Sequence, residues 1–165
     1  MDENRISSCS FTGHRAIKAS HSARISPLLF RAVEYAYSLG ARTFYAGGAV
    51  GFDSLAAGEV IRFRMSHPDV RLVLILPCGN QDEKWSHSQR SFYEFTLASA
   101  DEIVYTAKEY TDDCMRRRNE ALVSSGDMLI AYVGHPRSGA AQTARMAEKA
   151  GKKVYNLYPS LENNA

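Results

Sequence analysis

Short apolar runs alternate with segments of helical periodicity along the whole chain. The runs predict six strands, which are Ile6–Phe11, Thr43–Ala46, Val70–Pro77, Glu102–Tyr105, Met128–Val133 and Lys153–Leu157. Helical spacing predicts helices between them, from Ser26 to Gly40, about Asp53 to Met65, Ser88–Ala98, Cys114–Ser125 and Ala140–Ala150. Strands separated by helices of about ten residues are typical of βαβ units. The pattern therefore predicts an α/β fold, a Rossmann-like three-layer α/β/α sandwich with a mainly parallel sheet.

Several boundaries follow from local chemistry. Ser26 is expected to cap the first helix with Pro27 in its first position, and Gly40 to end it. Val70–Pro77 is the most apolar run, so we expect a central strand covered on both faces. The last residues, 162–165, are expected to fray.

Composition narrows the class of protein. A length of 165 residues fits one domain, 1–165, and a formal net charge of +2 gives no reason to expect a nucleic-acid or membrane partner. The N-terminus is polar, and the longest apolar run, Leu72–Pro77, is far below the roughly 20 residues of a membrane span. Three cysteines without C-x-x-C spacing indicate free thiols in a reducing compartment. We therefore expect a cytoplasmic protein.

Candidate chemistry follows the first two strands, because ligands of open parallel sheets bind beyond the strands' carboxyl ends. The first strand leads into Thr12, Gly13, His14 and Arg15, where glycine allows close backbone approach and arginine can fork onto an anion. The alternative is a simple turn with a surface arginine.

The second strand leads into a glycine-rich turn. Gly47, Gly48 and Gly51 lie at a strand-to-helix junction, which is typical of an anion cradle of backbone N–H groups. The spacing matches neither G-x-G-x-x-G nor a P-loop. Asp53 either caps the next helix or contacts a ribose hydroxyl or a catalytic water.

Later segments add polar candidates. Trp85, the single tryptophan, could stack on a base or pin a loop. The run Arg116–Arg118 opposes the dipole of its helix, so Arg118 and Asn119 are predicted to face a ligand unless the run is a solvated basic face. Ser138, Gly139 and Thr143 lie in a last loop-to-helix segment that could bind an anion.

The sequence lacks the motifs of metal sites, serine nucleophiles and nucleic-acid surfaces. The five histidines show no metal-ligand spacing, so no metal site and no cofactor is predicted. There is no G-x-S-x-G nucleophile elbow, and aromatic residues do not interleave with a basic stripe.

At these residues the sequence resembles a known family. The segments 9–15 and 47–53, together with Cys114-Met115 and Arg118-Asn119, are similar to the YpsA-like branch of the SLOG superfamily, which includes the Smf/DprA and LOG proteins. The resemblance covers nearly the whole chain. It implies a Rossmann-like fold and a nucleotide or nucleotide-derived ligand at the glycine-rich turns. It also implies that the chain could form a homodimer or a higher homo-oligomer.

The sequence departs from the superfamily pattern at two places that bear on catalytic activity. The superfamily usually has Gly-Gly-Thr in its last glycine-rich loop, whereas this chain has Ser138-Gly139-Ala140-Ala141-Gln142-Thr143. LOG hydrolases place a glutamate three residues after that threonine, where this chain has Met146, and Glu148 is the first acidic residue of the helix.

Three functions follow, in order of preference. The first is a nucleotide-binding module, such as a sensor. The second is a nucleotide N-glycosidase using Asp53 or Glu148 as its carboxylate. The third is a DprA-like binder of single-stranded DNA, which the near-neutral charge disfavours.

Overall fold

The computed structural model of the chain describes residues 5–163. Six parallel strands form one sheet: β1 (Ser8–Gly13), β2 (Thr43–Ala46), β3 (Arg71–Leu76), β4 (Glu102–Tyr105), β5 (Met128–Tyr132) and β6 (Lys153–Asn156). The strand order is β4-β3-β2-β1-β5-β6. The helices are α1 (Ile25–Ser38), α2 (Phe52–Arg64), α3 (His87–Ser99), α4 (Cys114–Ser125), α5 (Gly139–Lys149) and α6 (Tyr158–Asn163), with a 3₁₀ turn at Ala19–His21. This is the predicted Rossmann-like α/β fold.

The larger core lies on one face of the sheet. There α1 and α2 bury Leu29, Val33 and Val60 against strand residues such as Phe11 and Phe44. Alternation along each strand sends the intervening residues to the opposite face, where α4 and α5 cover smaller clusters. The sheet is therefore covered on both faces, as the apolar strands require.

Strand β1 presents small hydroxyl residues to α4. The Ser10 hydroxyl donates to the Leu122 carbonyl at 2.6 Å, and the Ser8 hydroxyl donates to the Ser125 carbonyl at 3.0 Å. The Leu122 carbonyl also accepts from the Gly126 N–H at 3.2 Å, whereas the Ser125 carbonyl belongs to the last turn of α4, where carbonyls lack intrahelical partners. The two serine hydroxyls hold α4 close to β1, and so hold the start of α4 at the carboxyl edge of the sheet.

Several predicted boundaries are wrong. Helix α1 begins at Ile25 rather than after Ser26, and Pro27 is tolerated because amides of a first helical turn lack intrahelical partners. Strand β1 starts and ends two residues later than predicted, since pairing with β5 extends to Gly13 opposite Tyr132. Strand β3 is buried as expected, but it lies second from the edge, beside the exposed β4.

The predicted fraying of the C-terminus is also wrong for the residues described. Leu161 of α6 is buried, and Glu162 accepts a hydrogen bond from Lys18 at 2.6 Å. These contacts reach back more than 100 residues, so local composition did not indicate them. Residues 164 and 165 lie outside the described part of the chain.

Candidate ligand-binding site

A crevice opens at the carboxyl edge of the sheet between β1 and β5. The chain adds β2, β3 and β4 on one side of β1, and then crosses back to place β5 on the other side. Such a reversal of strand order draws the two flanking connections apart, and ligands of open α/β sheets bind at that point. The segment after β1 and the start of α5 border this crevice.

A small cleft of about 270 Å³ occupies the crevice. It is lined by Thr12, Gly13, His14, Arg15, Ala49, Asp53, Met115, Arg118, Asn119, Ser138, Gly139 and Ala140. Four segments far apart in the sequence therefore meet here, and most of the predicted binding residues are among them.

The N-terminus of α5 faces this cleft with unused backbone donors. The Ser138 hydroxyl accepts from the Ala141 N–H at 3.0 Å and so caps the helix. Within residues 5–163 no acceptor is found for the N–H groups of Gly139 and Ala140. A first helical turn also carries partial positive charge. This end of α5 can therefore receive an anionic oxygen.

A buried ion pair forms the floor of the cleft. Asp53 and Arg118 are each 5% exposed, with Arg118 Nη1 lying 4.0 Å from Asp53 Oδ2. Asp53 Oδ2 also accepts from the Ala49 N–H at 3.2 Å, and Arg118 Nη1 donates to the Gly47 carbonyl. Burial raises the pKa of the Asp53 carboxyl, while Arg118 and the Ala49 N–H oppose that rise. The pair joins α2, α4 and the turn after β2.

Two neutral side chains complete the wall of the cleft. Asn119 Oδ1 accepts from Arg118 Nε at 2.8 Å, and His14 Nε2 accepts from the Gly134 N–H at 2.8 Å. Burial, and secondarily the neighbouring His135, lowers the pKa of His14. Both residues are therefore held in place by contacts to the protein itself.

The turn after β2 uses part of its backbone for contacts within the protein. Asp53 takes the Ala49 N–H, and the His14 carbonyl takes the Phe52 N–H at 3.1 Å. A Cβ at Gly47 would overlap the Arg118 guanidinium, and one at Gly48 would overlap Leu76. These glycines make room for the protein's own side chains, while the N–H groups of Gly48, Val50 and Gly51, like those at the start of α5, have no acceptor within residues 5–163.

Three predicted residues lie elsewhere. Gly51 lines a separate shallow surface cleft beside α3, and Thr143 is buried with its hydroxyl donating to the Gly139 carbonyl at 2.9 Å. Glu148 is exposed in the last turn of α5, roughly 13 Å along the helix from Gly139. The structure therefore does not bring Glu148 to the cleft as a candidate carboxylate.

A wider cleft of about 710 Å³ adjoins the small one, and Arg15 and Met115 line both. Its lining residues are Arg15, Cys78, Asn80, Gln81, Glu83, Lys84, Trp85, Tyr110 and Met115. Trp85 packs edge-to-face on Tyr93 with ring centroids 5.0 Å apart, and Tyr110 is 64% exposed. Trp85 is thus both anchored to the domain and available at the cleft wall.

Sequence reasoning overlooked part of this wider cleft. The sequence pattern singles out none of Cys78, Asn80 and Lys84 as a candidate binding residue. Their signal was available, because they lie in the polar stretch that follows the most apolar strand at the carboxyl edge. A solvated loop is equally polar, so the polarity of that stretch does not by itself indicate a binding site.

Reactive thiols, metal ligands and membrane-spanning helices would indicate other classes of site. The three cysteines are buried free thiols, and residues 5–163 contain no cluster of three or more His, Cys, Asp or Glu side chains arranged to hold a metal ion. None of the helices seen between residues 5 and 163 has the length and hydrophobicity to cross a bilayer.

Comparison with known proteins shows a consistent family. The sequence profile of the YspA SLOG family matches residues 12–159. The uncharacterised SPbeta prophage-derived protein YoqJ of Bacillus subtilis is 27% identical over 130 residues, covering 70% of this chain and 76% of that protein. A UPF0398 protein of Bacillus thuringiensis is 26% identical over 113 residues, covering 67% of this chain but only 61% of that longer relative.

A solved structure shares the fold. DNA processing protein A of Helicobacter pylori, described for its single-stranded DNA binding mode, superposes with a TM-score of 0.65 at 18% identity. The match covers 91% of this chain and 64% of that one.

Proposed function

The chain belongs to the YspA SLOG family, and on that premise we propose that it binds a nucleotide or nucleotide-derived ligand, as a binding module rather than a strong catalyst. The phosphate would occupy the small cleft and the base the wider one. The observation that carries this proposal is the pair of joined clefts at the strand-order reversal, which share Arg15 and Met115.

The chemistry of the small cleft suits a phosphate. It offers two unused amides at the start of α5, the Arg15 guanidinium and the side chains of His14 and Asn119. Helix N-termini and arginine are the common phosphate-binding groups of proteins. The Asp53 charge is opposed by buried Arg118, so it does not by itself repel an anion.

The wider cleft suits an aromatic base. Pockets for small ligands usually measure about 300–1,000 Å³, and the 710 Å³ here is within that range. Trp85 and Tyr110 offer rings for stacking, while Asn80 and Gln81 offer amides that can pair with the edge of a base.

The single tryptophan provides a direct test. Titration of the protein with AMP, GMP, CMP and UMP is expected to quench Trp85 fluorescence, because a base stacked on the indole changes its environment. Isothermal titration calorimetry of the same ligands gives the affinity independently. Ribose 5-phosphate should bind more weakly and leave the emission nearly unchanged, since it lacks the base.

Two variants control this experiment. Arg15→Ala should weaken nucleotide binding by about tenfold, the loss expected of one charge-assisted hydrogen bond, and leave the melting temperature unchanged. Arg137→Ala, on the exposed loop before α5, is the matched control. If no nucleotide binds the wild-type protein at millimolar concentration, the proposed function fails.

A second candidate is hydrolysis of a nucleotide N-glycosidic bond. It is favoured by one observation, which is that Asp53 is a buried carboxyl with a raised pKa lining the small cleft. Release of free base from nucleoside monophosphates, measured by chromatography and lost in Asp53→Asn, would support it. Binding without release would support the binding module.

A third candidate is binding of single-stranded DNA, the ligand named for the Helicobacter pylori protein that shares this fold. At 18% identity that likeness concerns the fold, and it does not favour DNA over a small ligand here. We therefore place this function below the other two.

A further inference from the structure

The hydrogen bonds behind the small cleft determine what its neutral side chains can offer a ligand. The Gly134 N–H points at His14 Nε2 across 2.8 Å. A backbone N–H only donates, so this ring nitrogen must be the acceptor and carries no proton. In a neutral imidazole the proton then resides on Nδ1.

The position of Gly134 is constrained by packing. A Cβ at this residue would overlap the Tyr158 ring, so the backbone lies directly against α6. The backbone N–H of the preceding residue, Val133, donates to Asn156 Oδ1 at 3.0 Å. The donor that faces His14 is therefore held by β6 and α6 rather than by a free loop.

A hydrogen bond within the protein also orients Asn119. Its Oδ1 accepts from Arg118 Nε at 2.8 Å, and Arg118 is itself anchored by the Gly47 carbonyl and Asp53. The amide nitrogen of Asn119 is the atom nearest to Gly139, lying 4.0 Å from where a Cβ would project. The donor end of this amide is thus turned toward the start of α5.

We infer that His14 and Asn119 are locked as uncharged hydrogen-bond donors, so that the small cleft selects an acceptor-only oxyanion such as an unprotonated phosphoryl group. The acceptor atom of each side chain is taken by a donor of the protein. With Arg15 and the amides of Gly139 and Ala140, the cleft then presents donors from several directions. The lowered pKa of His14 agrees with an imidazole that stays neutral.

This inference rests on the proposed function for the identity of the whole ligand, but its chemistry can be tested on the free protein. Long-range ¹H–¹⁵N NMR correlation of histidine-labelled protein reports which ring nitrogen carries the proton. His14 is expected to show the Nδ1–H form, its signals assigned by their loss in His14→Gln. A His14 that carries its proton on Nε2, or on both nitrogens at neutral pH, overturns the inference.

Titration with sodium sulfate, against sodium chloride at matched ionic strength, tests the acceptor-only ligand. Sulfate carries no proton at neutral pH, so it is expected to shift the His14 ring signals saturably. His14 ring signals that do not shift with sulfate would contradict the inference. If sulfate binds and no nucleotide does, the inference stands while the proposed function fails.

Matched substitutions test the direction of the donor. The amide nitrogen of asparagine can stand near Nδ1, whereas the carbonyl of glutamine can stand near Nε2 without replacing the Nδ1–H. His14→Asn should keep AMP or sulfate affinity within about threefold, and His14→Gln should lose about three- to tenfold. His87→Gln, on the exposed start of α3, is the control, and equal affinity of His14→Gln and wild type would overturn the inference.

Discussion

At the residue scale, the glycines around the site serve two different ends. A Cβ at Gly13 would overlap the Phe52 ring, and one at Gly51, where φ is +84°, would overlap the Arg15 carbonyl. At Gly139 the nearest atom is the Asn119 amide nitrogen at 4.0 Å, which is ordinary van der Waals distance. Glycine is thus required by internal packing at the first two positions, whereas Gly139 borders open space.

Alanine substitutions should separate these two kinds of glycine. Gly13→Ala is expected to cost about 1–3 kcal/mol of unfolding free energy, because the added methyl displaces Phe52 in a close-packed core. Gly139→Ala should be neutral or stabilise the domain by up to about 1 kcal/mol, since alanine favours the helix. Urea denaturation of both variants measures this, and a Gly13→Ala protein as stable as Gly139→Ala would contradict the assignment.

At the scale of elements, α6 closes the fold beside the site. It packs Leu161 into the main core, and its first residue, Tyr158, lies against Gly134. The Tyr132 hydroxyl accepts from the Lys18 N–H at 3.2 Å and hydrogen-bonds His21 Nδ1 at 2.7 Å, linking β5 to the segment before α1. Through Tyr158 this short helix supports Gly134, whose N–H donates to His14. It contributes no residue to either cleft.

The contribution of α6 can be measured by truncating its buried side chain. Leu161→Ala should lower the free energy of unfolding by about 2–5 kcal/mol, the usual cost of a cavity in a core. Met65→Ala is the matched control, because Met65 is 84% exposed and its loss should change stability by less than about 0.5 kcal/mol. A Leu161→Ala protein as stable as the control would mean that α6 is not part of the cooperative fold.

At the scale of the whole molecule, positive and negative side chains nearly balance. Several arginines are paired with carboxylates of the same surface, as in Arg42 with Asp69, Arg64 with Asp101 and Arg116 with Glu120. Arg118 is buried and serves the small cleft. A net charge of +2 gives the molecule little overall attraction for the phosphates of a polymer.

Single-stranded DNA should therefore bind weakly. Fluorescence anisotropy with a labelled oligonucleotide is expected to give a dissociation constant above about 100 μM at near-physiological salt, in the range of non-specific contacts or weaker. Any residual binding should disappear as salt rises. Micromolar binding that is lost in Arg116→Ala or Arg117→Ala would show that α4 carries a nucleic-acid surface and would contradict this expectation.

Much of the fold follows from local pattern. The bounds predicted for β2, β4 and α4 agree with the structure, because apolar runs and helical spacing are properties of each segment alone. The predicted start of α1 lies two residues after the observed one, and α6 was not predicted, since its buried Leu161 packs against residues distant in the chain. Alternation and periodicity report which residues one element buries, but they carry no information about what packs against its ends.

The sequence by itself determined the fold class and the residue types gathered at the carboxyl edge of the sheet, because hydrophobic period and βαβ order are local properties. Only the tertiary structure decided which backbone donors are left for a ligand. After β2 the amides of Ala49 and Phe52 are taken by Asp53 and the His14 carbonyl, whereas those of Gly139 and Ala140 have no acceptor within residues 5–163. A hydrogen bond joins groups that the chain brings together only on folding, so no local pattern could distinguish a satisfied amide from a free one.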